Sequence, residues 1–303
     1  MASMNAAAST SSSSSSSTST PQFDSIDSAI ASIRNNEFVV VLDSEDRENE
    51  GDLIIAAQSV TTEQMAWLIR HSSGFVCIAL SPQRIQELEL PMMFPKNEDP
   101  KKTAYTVTVD YKHGTTTGIS AHDRALTARM LATSSHSKAG QKDFSRPGHL
   151  CPLRYTEGGV RVRMGHTEAS VGEFCSGVLE TSAQRKRVTA CVYRHAVMLN
   201  ALSSSSSRLA MISDLAVAAG LPPMALLCEL VDPDSPQGAI ASRDACFKFA
   251  RAHGLKVITI EALKRWREEQ DGPLARSVVE KAARDSERGI ELDEQRVVGP
   301  SQE

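Results

Sequence analysis

Between residues 43 and 52 the chain reads DSEDRENEGD, six carboxylates around a single arginine, Arg47. The apolar run Phe38–Leu42 (FVVVL) precedes this segment and Leu53–Ala57 (LIIAA) follows it. Short apolar runs separated by turn residues read as buried strands joined by a loop. The acids therefore collect at one end of a sheet. So much like charge repels itself unless it is solvated, paired or bound to a cation. A hard divalent ion such as Mg2+ takes oxygen ligands and relieves that repulsion. Arg47 is suited to grip a phosphate or carboxylate. Gly51 ends the loop directly before the second run, which leaves little room for a floppy tip.

Further elements follow from periodicity and punctuation. Helices are expected over Asp24–Asn36, Thr62–His71 (capped by Thr61 or Thr62), Ser81–Leu88 (entered through Pro82), Ala121–Ala132, Arg243–His253 and Ile260–Glu269. Strands are expected at Phe75–Leu80, Tyr105–Asp110, Gly159–Arg163, Ala225–Leu230 and Leu255–Thr259. Pro91–Lys102 and Ser134–Gly148 read as loops. This mixture predicts an α+β chain: a single compact domain over 23–270, with a mixed sheet covered by helices. The Ser/Thr/Ala tract Ala6–Thr20 predicts a disordered start over 1–22, and the charged stretch 271–303 a disordered tail.

Bulk properties exclude several classes. A net charge of −4 gives no general reason to expect nucleic acid or an anionic membrane as partner. The basic run QRKRV reads as a solvated face. No apolar run approaches the roughly 20 residues a membrane helix needs. The start lacks the basic and apolar regions of a secretory signal, and no arginine precedes Arg34 as a transit peptide would require, so a cytoplasmic protein is expected. The six cysteines form no CxxC pair, which argues against a zinc ribbon or a redox motif.

Four more clusters carry chemistry. Gly114–Arg124 (GTTTGISAHDR) sets glycines and hydroxyls before a helix, where they can offer donors to a phosphate. In Arg146–His149 (RPGH), Pro147–Gly148 predicts a turn that presents His149 at a defined angle. Arg163–Ala169 (RMGHTEA) runs from a strand into a helix that Thr167 suits as N-cap; Arg163 offers a guanidinium and His166 a metal nitrogen. Glu229, in LLCEL, is a carboxylate in an apolar strand, either at its end or held with a raised pKa.

Together EDRENEGD, TGISA, RPGH, GHTEA and CE, in this order, resemble the 3,4-dihydroxy-2-butanone 4-phosphate synthase family of riboflavin biosynthesis. The resemblance covers Ile26–Val171 and Asp214–Arg267. It implies an α+β fold, a homodimer with sites near the interface, and Mg2+-dependent conversion of D-ribulose 5-phosphate into formate and a four-carbon ketone phosphate. With no second module after Arg267, the monofunctional form is expected. By motif position Glu48 and His166 are implied as metal ligands, for Mg2+ or Mn2+ and for two ions per site. Arg47, Glu48, Asp52, Arg163, Met164, Gly165, His166, Thr167 and Glu229 are implied as substrate contacts. His149 and Glu229 fall where the family has residues essential for catalysis, and Asp52 is a candidate proton carrier. Glu50 could assist the metal through water.

The match breaks at 172–213, where serine-rich and basic sequence of different composition interrupts the helix that GHTEA should begin. Two readings stand: a surface insertion, or a retained intron translated in frame. The abrupt composition shift favours the second. Two other functions compete: a different sugar-phosphate enzyme that releases no formate, and a non-catalytic sugar-phosphate-binding protein.

Overall fold

The computed structural model describes residues 22–133, 139–170 and 214–272, together with Leu274 and Glu280. The expectations for the Ser/Thr-rich start, for 172–213 and for the charged tail fall outside the described residues, apart from the few at their edges. Helices α1 (Ile26–Arg34), α2 (Thr62–His71), α3 (Pro82–Glu87), α4 (Ala121–Leu131), α5 (His166–Ser170), α6 (Leu215–Ala218), α7 (Arg243–His253) and α8 (Ile260–Asp271) accompany seven strands. The strands are β1 (Val39–Leu42), β2 (Gly51–Ala56), β3 (Cys77–Leu80), β4 (Val109–Tyr111), β5 (Phe144–Arg154), β6 (Ala225–Glu229) and β7 (Lys256–Thr259).

They form one sheet in the order β4-β5-β3-β6-β2-β1-β7. The β1/β7 and β3/β5 pairs are parallel. The β1/β2, β2/β6, β3/β6 and β4/β5 pairs are antiparallel. Helices cover both faces, so the central strands read as continuous apolar runs rather than as alternating ones. Val40, Leu53, Ile55, Ile78 and Leu226 point to a core shared with Met65 and Leu68 of α2, Ala128 and Leu131 of α4 and Phe247 of α7. Val39, Val41, Ile54, Ala79 and Leu227 point the other way, onto Ala29, Ile30 and Ile33 of α1 and Leu263 of α8.

Helix starts follow local chemistry. Thr61 accepts from the Gln64 amide while Gln64 returns a bond to the Thr61 amide, a capping box that fixes α2. Ser81 caps α3 ahead of Pro82, and Ser120 caps α4. Gly254, in the left-handed region, ends α7.

Three expectations are corrected. Gly159–Arg163 is not a strand: Gly159–Arg161 forms a 3-10 turn after the left-handed Gly158. The expected loop Ser134–Gly148 instead yields strand β5 from Phe144 onward. Arg146–His149 is not a free turn but a bulge inside β5. Its pairing with β4 jumps from Asp110↔Ser145 to Val109↔Leu150, so the four residues between swing out of register. The bulge needs a glycine, because a Cβ on Gly148 would lie 2.1 Å from the Val109 carbonyl carbon and 2.3 Å from the Asp110 nitrogen.

Those contacts are backbone atoms of a paired strand and cannot move aside cheaply. Gly148→Ala should therefore destabilise the chain by about 3 kcal/mol, as overpacking does. Urea denaturation checks this, and an unchanged midpoint would show that the bulge yields.

Candidate active site

The loop of six acids is shaped by one of its own members. The Asp43 carboxylate accepts from the Glu50 amide at 2.9 Å, the Glu48 amide at 3.1 Å and Arg47 Nη1 at 2.9 Å. Asn49 takes φ 56°, which asparagine tolerates better than most residues. The turn thus closes on itself, and Arg47 pairs with both Asp43 and Glu48.

Sheet register supplies the next member. In the β2/β6 ladder Asp52 lies directly opposite Glu229, and in the β1/β2 ladder it lies opposite Val41. His166, at the start of α5, donates Nε2–H to the Val41 carbonyl at 3.1 Å. A carbonyl can only accept, so the proton sits on Nε2 and Nδ1 keeps its lone pair. Nδ1 faces Asp52 Oδ1 at 3.5 Å and Glu48 Oε2 at 3.9 Å. Burial lowers the His166 pKa to about 4, so the ring is neutral at physiological pH. Burial, and then the Glu229 charge opposite, push Asp52 well above the usual carboxylate range. Glu50 is raised by burial and by Glu48.

Asp52 Oδ1, Glu48 Oε2 and His166 Nδ1 all present acceptor lone pairs to one another, and Arg47 Nη1 donates to Glu48 from the loop side. Asp52 Oδ1 is buried with no hydrogen-bond partner. One ligand atom each from Asp43, Glu48 and His166 lies within 4.8 Å of the others. A hard cation fits that donor set, which pairs an imidazole nitrogen with carboxylate oxygens. Three donors already bond Asp43, and Arg47 also bonds Glu48 Oε2, so of these ligand atoms His166 Nδ1 is the one with no donor on it, while Glu48 keeps its second carboxylate oxygen.

The other expected residues are placed as follows. Glu229 ends β6, is partly buried, and accepts from Ser73 Oγ at 2.7 Å. Arg163 pairs with the buried Glu168 and donates to the Lys101 carbonyl at 3.1 Å and Thr103 Oγ1 at 3.0 Å. Lys101 in turn donates to the Arg47 carbonyl at 2.7 Å, so Arg47, Lys101 and Arg163 form one cationic rim. Met164 is partly buried, and Gly165 bonds back to the Arg163 carbonyl. Thr167 is buried one residue inside α5 and is not its cap; the helix begins at His166 instead. His149 belongs to the same end of the sheet: it lies two residues before Cys151, which pairs with Cys77 beside Leu227, itself two before Glu229.

Several donors of Gly114–Arg124 are turned inward. Asp123 Oδ2 accepts from the Thr116 amide at 2.9 Å, Thr116 Oγ1 at 2.8 Å and the Gly118 amide at 3.0 Å, and Thr115 Oγ1 bonds the Tyr111 carbonyl. The segment is a loop organised by Asp123 and capped into α4 by Ser120. Sequence reading missed Asp43 as the loop's organiser, because all six acids look alike there. It also missed Ser73 and Lys101, for which no local signal exists.

A mixed sheet with helices on both faces, carrying a buried carboxylate–imidazole cluster beside a cationic rim, defines a metal-assisted enzyme for a small anionic substrate. The family model for 3,4-dihydroxy-2-butanone 4-phosphate synthase matches residues 27–177 and 209–266. A synthase of that name from Schizosaccharomyces pombe is 45% identical over 242 residues, 80% of this chain and 96% of the relative. A rice protein described as a probable bifunctional riboflavin biosynthesis protein is 44% identical over 254 residues, 83% of this chain but 38% of its own length. A solved synthase structure in complex with two magnesium ions superposes with TM-score 0.66 at 44% identity, covering 83% of this chain and all of that one. The chain belongs to the 3,4-dihydroxy-2-butanone 4-phosphate synthase family, lyases of riboflavin biosynthesis.

Asp123 yields a prediction with a defined sign. Despite its burial, hydrogen bonds from His122, Thr116 and Gly118 hold its pKa well below the usual value. A depressed folded pKa contributes stability above the unfolded value of about 3.9, and that contribution fades as pH falls toward the folded one. Asp123→Asn should cost about 1–3 kcal/mol at pH 7. The gap to the parent chain should narrow below about pH 4 in parallel denaturation curves; a gap independent of pH would contradict this.

Proposed function

We propose that Glu48, Asp52, His149, His166 and Glu229 carry out the family reaction in this chain, converting D-ribulose 5-phosphate into L-3,4-dihydroxy-2-butanone 4-phosphate and formate with Mg2+. The observation that carries the reading is the buried, unpartnered Asp52 Oδ1 facing His166 Nδ1. A buried carboxylate oxygen facing an imidazole lone pair is costly, and a proton or a cation between them relieves that cost.

Glu48 and His166 would hold the ion, with Glu50 assisting through water; two ions per site accord with the magnesium complex of the relative. When bound, Mg2+ polarises a sugar carbonyl and offsets enediolate charge; Mn2+ suits the same ligands. Asp52 and Glu229 face one another across the ladder. Their repulsion makes protonation of one easy, which suits a pair that must take protons in enolisation and return them in dehydration. Arg47 and Arg163 are the residues we assign to the phosphate, with Met164, Gly165, His166 and Thr167 as further substrate contacts; Arg47 would exchange part of its pairing with Asp43 and Glu48, and Arg163 part of its pairing with Glu168, to do so. His149 stands across the row as a further acid or base.

A homodimer and a cytoplasmic location belong to this proposal; among the described residues no helix is long and apolar enough to cross a membrane. We also read 172–213 as sequence interposed in the family domain. In support, the family model passes over 178–208.

Formate release from ribulose 5-phosphate tests the function. The full-length chain should release formate with Mg2+ and none with EDTA, and a 172–213 deletion should do so at least as fast. Glu48→Gln should lower the rate by about 100-fold or more. Formate in EDTA, or full activity of Glu48→Gln, would overturn the metal assignment. Binding can be read separately. Mg2+ at 100 times its Kd should stabilise the parent by about 2.7 kcal/mol, and Glu48→Gln should lose most of that gain in a thermal melt.

A further inference from the structure

The Arg146–His149 bulge does more than expose a histidine. His149 Nδ1 lies 2.7 Å from Asp110 Oδ2, and the His149 backbone N–H donates to Asp110 Oδ1 at 2.9 Å. One carboxylate therefore grips both the backbone and the ring of the same residue. The Asp110 side chain is 11% exposed, whereas that of His149 is 39% exposed. The imidazole thus has a dry edge on the carboxylate and a wet edge turned away from it.

The pair is locked from several directions. The register jump between Val109 and Asp110 turns the Asp110 carboxylate toward the bulge. The Gly148 amide donates to Thr108 Oγ1 at 3.1 Å and Ser145 Oγ to the Asp110 carbonyl at 3.2 Å, which holds the bulge on both sides. Gly118, at φ 95°, closes over the top. A Cβ there would lie 1.9 Å from Asp110 Oδ2 and 2.6 Å from His149 Nδ1. The capped Gly114–Arg124 loop, which Asp123 organises, thereby excludes other partners from the Asp110–His149 bond.

We infer that Asp110 is the positioning residue of His149: it accepts the Nδ1–H and so leaves Nε2 as the unprotonated nitrogen presented to substrate. A neutral imidazole has one donor and one acceptor nitrogen, and its partner decides which is which. A carboxylate that already accepts the backbone N–H accepts the ring proton as well. The inference rests on the reading that His149 acts on substrate. Asp110 itself touches no reacting atom in this role.

Asp110→Asn separates positioning from packing. The asparagine oxygen still accepts the His149 backbone N–H, so the bulge stays closed. Its amide nitrogen is now a donor to Nδ1, which moves the ring proton to Nε2. In 15N-histidine-labelled full-length protein, the ring signals lost in His149→Ala identify His149. The parent should show a protonated Nδ1 and a bare Nε2, and Asp110→Asn the reverse. With Mg2+ present, kcat for formate release should fall about 100- to 1,000-fold in Asp110→Asn, with KM within about 2-fold.

A proton found on Nε2 in the parent chain overturns the assignment without any variant. A full kcat in Asp110→Asn with the tautomer reversed overturns the positioning role. Full activity of His149→Ala would instead sink the reading of His149 as acid or base, and the parent's ring signals would still report on Asp110.

Discussion

The placement of Asp52 opposite Glu229 on neighbouring antiparallel strands governs most of what this molecule can do. Two carboxylates at that separation in a half-dry site repel, and burial forbids water from screening them. Everything around them answers that repulsion. His166 is held as a neutral ring with its lone pair turned inward by the Val41 carbonyl. Glu48 approaches from the loop, and Arg47 approaches with it, already committed to Asp43. A cation or a shared proton completes the cluster, and the same tension makes proton exchange easy.

The sheet makes such a site possible because of where its strands end. β1 stops and β2 starts at the acidic loop, β6 ends on Glu229, and α5 begins with His166 over the same rim. Apolar residues fill both faces behind that edge, from Val41 and Ile54 on one side to Leu53 and Ile55 on the other. The core carries stability, and the edge is left to hold groups that alone would destabilise it. Asp43 and Asp123 play parallel parts: each folds a polar loop by accepting three or more donors, so neither loop needs a core of its own.

Much of this was legible in the chain order. The helix Thr62–His71 runs between the bounds its capping residues indicate, as does Arg243–His253, because a cap and an apolar stripe act within a few residues. Gly159–Arg163 misled because Val160 and Val162 alternate like a strand, while the preceding left-handed glycine starts a turn instead. Phe144–Gly148 was hidden for the opposite reason. Its one proline, one glycine and one charge look like a loop, yet β4 is near enough to pair with the strand around a bulge. In GTTTGISAHDR composition shows the donors without showing which of them Asp123 takes, namely those of Thr116 and Gly118.

By itself the sequence determined the run of strands and helices, the acid-rich loop between two buried strands, and the family motifs with their residues. These are local facts, set by periodicity, caps and neighbours a few positions apart. Only the tertiary structure decided which acid faces which, because register between β2 and β6 joins residues far apart in the chain. It alone chose the proton position on His166, through a carbonyl 125 residues away. It also joined Asp110 to His149 across 39 residues. Charge, hydrogen bonding and burial act through space, and a string of residues carries their ingredients without their distances.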